Sequence, residues 1–415
     1  MTRRECEPIG ISAPESTFAN SRPIGHWSFS IGHFLPVLYF DHNATHPLAA
    51  AAREAWLDAT TRYIGNPSSP HRLGARADAA LGEARKKLAA WLRCEPRDIV
   101  WTSGATEAAN AVLHHAAALA GEEGEAWISA IEHPCARAAA RRHFGKRHAH
   151  ISVGPDGMVD LTRVAAALKK KRPVLLAILA ANNETGLLQP WREALALCRE
   201  HGVPFFTDAA QWIGKLPAGG LGECDFVSGC AHKFGGPQGV GFLKVPANFR
   251  PLIVGGPQEE GRRAGTENVA GILAMIAALE ERVAGITPDF LAARVEVRDA
   301  FEHELAARLP GSQIIGSASE RLWNTVSAVM PEMPDCRQRW VVKLDKLGFA
   351  VSTGSACASG KEQTSHVLAA MGVAPDAASR VLRFSGGWET RAEDWRELLA
   401  GLERVRDELS RGPRA

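Results

Sequence analysis

Five stretches of the chain put reactive side chains where an apolar run ends. Ala231-His232-Lys233-Phe234-Gly235-Gly236-Pro237 sets a lysine beside a histidine, just ahead of a Gly-Gly-Pro turn. An amine held in a ligand crevice can form a Schiff base with an aldehyde cofactor; the plain alternative is a solvated loop lysine. Asp208 follows the apolar run Val203 to Phe206. A carboxylate at a buried strand end needs a positive or hydrogen-bonding partner, and the protonated ring nitrogen of pyridoxal phosphate is one. With Gln211 three residues on, Asp208 fits a helix N-cap equally well. Thr102-Ser103-Gly104-Ala105-Thr106-Glu107 is a small-residue turn between a strand pattern and a helix pattern. Its N–H groups and the Thr106 hydroxyl suit a phosphate at a helix N-terminus, as they suit an ordinary capped helix start. Cys357 sits in Ser352-Thr353-Gly354-Ser355-Ala356-Cys357-Ala358-Ser359-Gly360, among residues with little capacity to bury it. That texture marks a nucleophile candidate, against the usual inert, buried thiol. Arg383, between Leu382 and Phe384, suits a bidentate grip on a carboxylate or a structural ion pair.

The elements that must position these residues follow from the hydrophobic pattern. Helical spacing is expected over 75–92, 107–120, 134–142, 191–201, 269–283 and 289–309. Short apolar runs read as strands over 98–102, 125–130, 174–179, 203–207, 226–228 and 240–245. Strands and helices in alternation predict an α/β domain with a mainly parallel sheet, which places ligands at the carboxyl ends of its strands. His133, Asn183, Asp208 and the His232-Lys233 pair fall at those ends. After Pro310 the texture changes to short strands, a Gly-rich loop and two further helices. The division expected is a leader over 1–38, an amino-terminal part over 39–55 that packs with the small domain, a large domain over 56–289 and a small carboxy-terminal domain over 290–415.

The chain has 415 residues, 46% hydrophobic and 23% charged, enough for a sizeable core. Lys and Arg total 48 against 46 Asp and Glu, a formal charge of +2, which speaks against stable nucleic-acid binding and against a polybasic membrane protein. Eight cysteines stand apart with no CxxC pair, so no metal site is expected and the thiols read as reduced, in the cytoplasm. No apolar run reaches a membrane-spanning length.

Ten ordered motifs resemble the cysteine desulfurases, pyridoxal-phosphate enzymes of the class V aminotransferase type. They are YFDHNATHP (39–47), GNPSSPH (65–71), TSGATEAAN (102–110), EHP (132–134), NNETGLLQP (182–190), DAAQ (208–211), AHKFGGPQGVGFL (231–243), GGPQEEGRRAGTEN (255–268), GSACASG (354–360) and RFSGG (383–387). The resemblance implies a fold-type I transferase with a seven-stranded, mainly parallel sheet flanked by helices and a smaller α+β domain. It also implies pyridoxal 5'-phosphate as cofactor, L-cysteine as substrate, a homodimer with shared active sites and a sulfur-acceptor protein as partner. GSACASG resembles the longer cysteine loop of the iron-sulfur assembly and nitrogenase-associated group.

Residue by residue, the resemblance makes Lys233 the amine that carries the cofactor and removes the substrate's α-proton. Asp208 pairs with the ring nitrogen, Gln211 with the ring hydroxyl, and His133 stacks on the ring and serves proton transfer. Gly104, Ala105, Thr106, Cys230 and His232 surround the phosphate, with Thr266 reaching the partner subunit's cofactor. Arg383 and Asn183 grip the substrate carboxylate with Asn43 close by, and Cys357 takes the sulfur as a persulfide while alanine leaves. The chain departs from the family pattern at Cys230, where a phosphate-binding serine is usual and a thiol donates more weakly. It departs also at Pro257, Gly386 and Trp388, the last two giving a carboxylate pocket of different shape. The rival readings are a selenocysteine lyase or other β-lyase, which would not need Cys357, and an inactive cofactor-binding partner in a sulfur-transfer complex.

Overall fold

A computed structural model describes residues 37–333, 336–354 and 365–410. Nearly all of the expected leader, and Cys357, lie outside the described residues. Twelve strands are described: β1 Leu38–Tyr39, β2 Ile99–Thr102, β3 Ala126–Ser129, β4 His148–Ile151, β5 Leu175–Ala177, β6 Phe205–Asp208, β7 Phe226–Cys230, β8 Gly241–Lys244, β9 Gln313–Ile314, β10 Thr325–Val329, β11 Phe349–Ala350 and β12 Val381–Ser385.

Seven of them form one sheet in the order β2-β8-β7-β6-β5-β3-β4. β8 runs antiparallel to both of its neighbours and the remaining pairs are parallel. The mainly parallel sheet is as the alternation of patterns predicted. Apart from the edge strand β4, its strands are buried on both faces, because successive residues serve opposite layers. Leu176 and Phe205 pack under the helices Arg72–Leu92, Trp191–His201 and Val269–Gly285. Leu175 and Phe206 pack under Ala105–Leu119 and Pro134–Phe144. A second core surrounds the antiparallel sheet β12-β10-β9, where Val326, Leu382 and Phe384 meet Phe301 and Trp395 of the helices Pro288–Arg308 and Ala392–Ser410. Phe40 belongs to this second core, and Asp41 bridges to Ser385, so the chain's first described segment packs there.

Several elements differ from the expectation. The helix Arg72–Leu92 begins three residues early because the His71 Nδ1 accepts the Gly74 N–H at 3.2 Å and caps it. Ala50–Arg62 is a helix that the sequence hid, since its alanine-rich run carries no clear apolar stripe. β4 was hidden because His148 and His150 interrupt an exposed edge. Beyond Pro310 four helices are described instead of two. The extra pair, His366–Ala370 and Pro375–Ser379, are single turns, started by the Ser365 cap and by Pro375.

Candidate active site

The polar residues that end the central strands meet in one cavity of about 490 Å³. Asp208 is the last residue of β6 and is buried. No helix follows it, so the N-cap reading does not hold. Its Oδ1 instead closes a turn by accepting the Ala210 N–H at 3.0 Å, and it also accepts the Ser228 hydroxyl at 3.0 Å. Lys233 follows β7 in a short 3-10 turn. Its Nζ donates to the carbonyls of Asn43 at 2.6 Å and Ala44 at 2.8 Å. Burial lowers the Lys233 amine from its ordinary value, and the Arg383 charge adds to this. An amine so placed is easier to deprotonate, as a nucleophile or base must be.

The loop after Lys233 comes close to the Trp212–Leu216 turn. Gly214 has φ 77°, and any Cβ there would overlap the Phe234 side chain. At the opposite wall, Gly104 (φ 151°) precedes the helix Ala105–Leu119. The Glu107 carboxylate reaches back to the Ser103 N–H at 2.8 Å. Cys230 ends β7 beneath this helix start and accepts the Ala105 N–H. Burial pushes its thiol up to about 11, so it stays neutral. Thr106 lines the cavity too, and its hydroxyl bonds the Cys135 sulfur.

His133 caps the helix Pro134–Phe144, its Nδ1 accepting the Cys135 N–H at 3.2 Å with the Cys135 Sγ at 3.0 Å. An Nδ1 that accepts a backbone N–H carries no proton, so the ring proton sits on Nε2. Burial lowers His133 from its ordinary value. His232 is lowered to about 4 by burial and by Lys233, and its Nδ1 lies 3.3 Å from the Thr45 hydroxyl.

Of the residues named from sequence, Gly104, Ala105, Thr106, His133, Asn183, Asp208, Gln211, Cys230, His232 and Lys233 line this cavity. Arg383 does not. It is buried beside the cavity, where Nη2 donates to Asp41 Oδ1 at 2.5 Å and Nη1 to the Asn183 carbonyl at 2.9 Å. The ion pair anticipated as the plain alternative is thus formed here. Asn43 is buried with its amide fully engaged, donating to Thr325 at 2.8 Å and accepting from Lys215 at 2.8 Å. In this arrangement Asn43 organises the site from behind and offers no free group to a substrate. Thr266 is exposed and lies outside its own chain's cavity. Trp388 turns away from the cavity. It stacks on Phe290 with centroids 4.4 Å apart and donates to the Gly214 carbonyl at 2.9 Å, so it does not reshape the pocket wall. Gly386 is small because a Cβ there would crowd Trp395 at 3.1 Å and Thr390 at 3.3 Å.

Three features escaped sequence reasoning. Cys135 lies in the cavity, and its place right after the EHP motif was the available signal. Lys215 is buried behind Gln211, in a segment whose only hint was a charge between the apolar residues Ile213 and Leu216. His366 donates from Nε2 to the Glu132 carbonyl at 2.9 Å, beside His133. Ser365, its neighbour, donates to Glu184 Oε2 at 2.6 Å.

An amine, a buried carboxylate, an imidazole and the N-terminal end of a helix thus face one space. That donor set suits an anionic aldehyde with a basic ring nitrogen: a phosphate at the helix start, a carboxylate for the ring and an amine for the carbonyl. The family model for aminotransferase class V matches residues 38–398. A cysteine desulfurase of Klebsiella pneumoniae is 39% identical over 379 residues, covering 90% of this chain and 93% of its own. This chain belongs to the cysteine desulfurases. As a member of that family it is a fold-type I enzyme that uses pyridoxal phosphate. Among solved structures, a NifS-like protein superposes with a TM-score of 0.80 at 30% identity, over 90% of this chain and 100% of its own. SspA in complex with cysteine superposes with a TM-score of 0.73 at 29% identity, over 84% and 98%. Among the described residues no helix is long and apolar enough to cross a membrane.

Proposed function

We propose that this desulfurase takes sulfur from L-cysteine, releases L-alanine and leaves a persulfide on Cys357 for an acceptor protein. The observation that carries this reading is the convergence of Lys233, Asp208 and His133 on one cavity. When bound there, pyridoxal phosphate supplies an electron sink for the charge that develops on the substrate's α-carbon. Lys233 would hold it through its amine, and that amine, lowered by burial, would also take up the substrate's α-proton. Asp208 keeps the ring nitrogen protonated, and the Gln211 amide meets the ring hydroxyl. Gly104, Ala105, Thr106, Cys230 and His232 face the phosphate. His133, with its proton on Nε2, covers the ring and can move a proton above it. Asn183 and Arg383 orient the substrate carboxylate, which requires Arg383 to loosen its pair with Asp41. The Cys357 thiolate attacks the substrate sulfur, the carbon–sulfur bond breaks and a sulfur–sulfur bond forms. The electron pair of the broken carbon–sulfur bond stays on the β-carbon, which takes up a proton, and the α-carbon regains the proton taken by Lys233, so that the fragment departs as alanine. Cys357 follows Gly354 by three residues, and Gly354 is tied to Arg383 through its carbonyl at 3.3 Å.

The active unit in this reading is a homodimer with shared sites. Leu57 is 65% exposed, Ile64 71% and Val254 77%, an apolar set that a second copy would cover. Thr266, exposed and outside its own chain's cavity lining, is then available to the partner subunit's phosphate. The domain division at about residue 289 is proposed on the two separate cores, and a reducing, cytoplasmic setting on the free cysteines among the described residues.

The deciding test is alanine release from L-cysteine by the cofactor-loaded protein with a reductant, comparing wild type with C357A. Turnover in the wild type and almost none in the variant is expected. Equal turnover in both would replace this reading by a β-lyase, and turnover in neither by an inactive partner.

A further inference from the structure

Lys215 is a lysine with almost no solvent contact, 3% exposed. Among the described residues it has no carboxylate partner within ion-pair distance. Its Nζ lies 2.8 Å from Asn43 Oδ1 and 2.6 Å from Gln211 Oε1. Its main-chain carbonyl accepts the Trp323 indole N–H at 2.9 Å, which fixes the turn that carries it. With oxygen acceptors on two sides, Nζ donates to both, whether it bears two hydrogens or three. Burial lowers this amine well below its ordinary value, and the charges of Lys233 and Arg383 act in the same direction. A group so costly to bury is retained here against an apolar residue of the same size, which would pack without that cost.

Its two contacts determine the orientation of groups in the cavity. Gln211 Oε1 is occupied by Lys215, so Gln211 Nε2 is the end that donates to the Asn43 carbonyl at 2.9 Å. The second hydrogen on that nitrogen remains for the cavity, which Gln211 lines. The same Asn43 carbonyl accepts the Lys233 amine at 2.6 Å. Two lysine amines therefore grip one residue, Lys215 at its side chain and Lys233 at its backbone. We propose that Lys215 is a positioning residue, fixing the Gln211 amide with its N–H toward the cavity and holding the Asn43 carbonyl against the Lys233 amine. Without it the Gln211 amide can turn over and present an acceptor to the cofactor's ring hydroxyl. This inference rests on the reading of the cavity as the pyridoxal-phosphate site.

The test is a double-mutant cycle on the full-length chain with K215M, Q211A and K215M/Q211A. Two quantities are read without turnover: the dissociation constant for pyridoxal phosphate, and the pH midpoint of the visible absorbance of the lysine-bound cofactor. K215M is expected to weaken binding about tenfold, the size of one hydrogen bond to a charged group, and to move the midpoint. The double variant is expected to fall short of the product of the two single effects, because both changes break the shared Lys215–Gln211 contact. Should K215M fail to fold, K215Q takes its place in the same cycle. Unchanged binding and midpoint in the position-215 variant would overturn the inference, as would effects that multiply in the double variant. A wild type that shows no lysine-bound absorbance would overturn the cofactor reading itself and this inference with it.

Discussion

Glu132 shows how a site residue can matter without facing the substrate. It precedes His133 and is buried. Its Oε1 accepts the Leu179 N–H at 2.6 Å, and Oε2 has no partner among the described residues. Burial, reinforced by the nearby Asp208 charge, pushes its carboxyl up to about 8. The folded chain therefore keeps this proton across a range in which the unfolded chain, near the ordinary glutamate value of 4.5, has lost it. An acid raised in this way costs stability as pH rises through that window, with a slope of up to about 1.4 kcal/mol per pH unit. Glu132→Gln removes the titration and keeps an oxygen for Leu179. Chemical denaturation of both proteins at several pH values should give similar stabilities near pH 5 and a growing advantage for E132Q toward pH 8. Parallel curves would mean that Glu132 is ionised in the folded state.

The residues proposed to carry the reaction were legible because each lies in a short motif at a strand end: Asp208 at the end of β6, Lys233 after β7, His133 after β3. The groups behind them were not. Lys215 acquires its role from Asn43, 172 positions away in the chain, and no local pattern encodes that meeting. Asn43 was legible as part of a motif, yet its side chain turned out to be committed to Lys215, Asn324 and Thr325.

At the scale of elements, the turn that holds Lys233 is steadied by a shelf on which the sequence offered only isolated aromatics and charges. Arg282, in the helix Val269–Gly285, donates from Nε to the Phe234 carbonyl at 3.1 Å and pairs through Nη2 with Glu389 at 2.9 Å. Glu389 lies 3.2 Å from the His46 ring, and the His46 N–H donates to the His232 carbonyl at 2.7 Å. The arginine and the histidine hold Glu389 at about 2 against the opposing effect of burial. Trp388 lies under the Arg282 guanidinium at 5.1 Å, between it and Phe290. These contacts join the chain's first described segment, the helix Val269–Gly285 and the stretch after β12 around the Lys233 turn. Trp388→Ala removes the indole from both stacking partners and frees the Gly214 carbonyl. Its cost should be about 3 kcal/mol, typical of an aromatic truncated in a packed setting. Thermal unfolding would register it as a lowered Tm, and cofactor would leave W388A faster than wild type because the Lys233 turn loses its support. A variant as stable as wild type would show that the shelf is redundant.

At the scale of the whole molecule, one chain accounts for the amine, the carboxylate and the imidazole but leaves two surfaces unexplained. The first is the apolar set on and around the helix Ala50–Arg62, with Trp56 and Leu57 on the helix and Ile64 just beyond it. This helix packs on Val269–Gly285 through one side, with Ala52 and Ala59 buried, and presents large apolar residues on the other. The second is the 255–268 motif, whose Thr266 is exposed and does not line the cavity that holds Lys233. A two-fold contact between copies would cover the first and employ the second, since such a contact is reciprocal: whatever Thr266 of one copy reaches on its partner, the partner's Thr266 reaches in return. Leu57→Glu combined with Ile64→Glu places like charges across that contact at no cost to the chain's own core. The double variant should run as a monomer in light scattering where wild type runs as a dimer, with far-UV circular dichroism unchanged. Because the phosphate would then lack its ligand from the second copy, the monomer should lose bound cofactor on dialysis and most of its alanine-forming activity. A wild type that is monomeric and fully loaded would refute the shared site, and Thr266 would have no part in holding the phosphate.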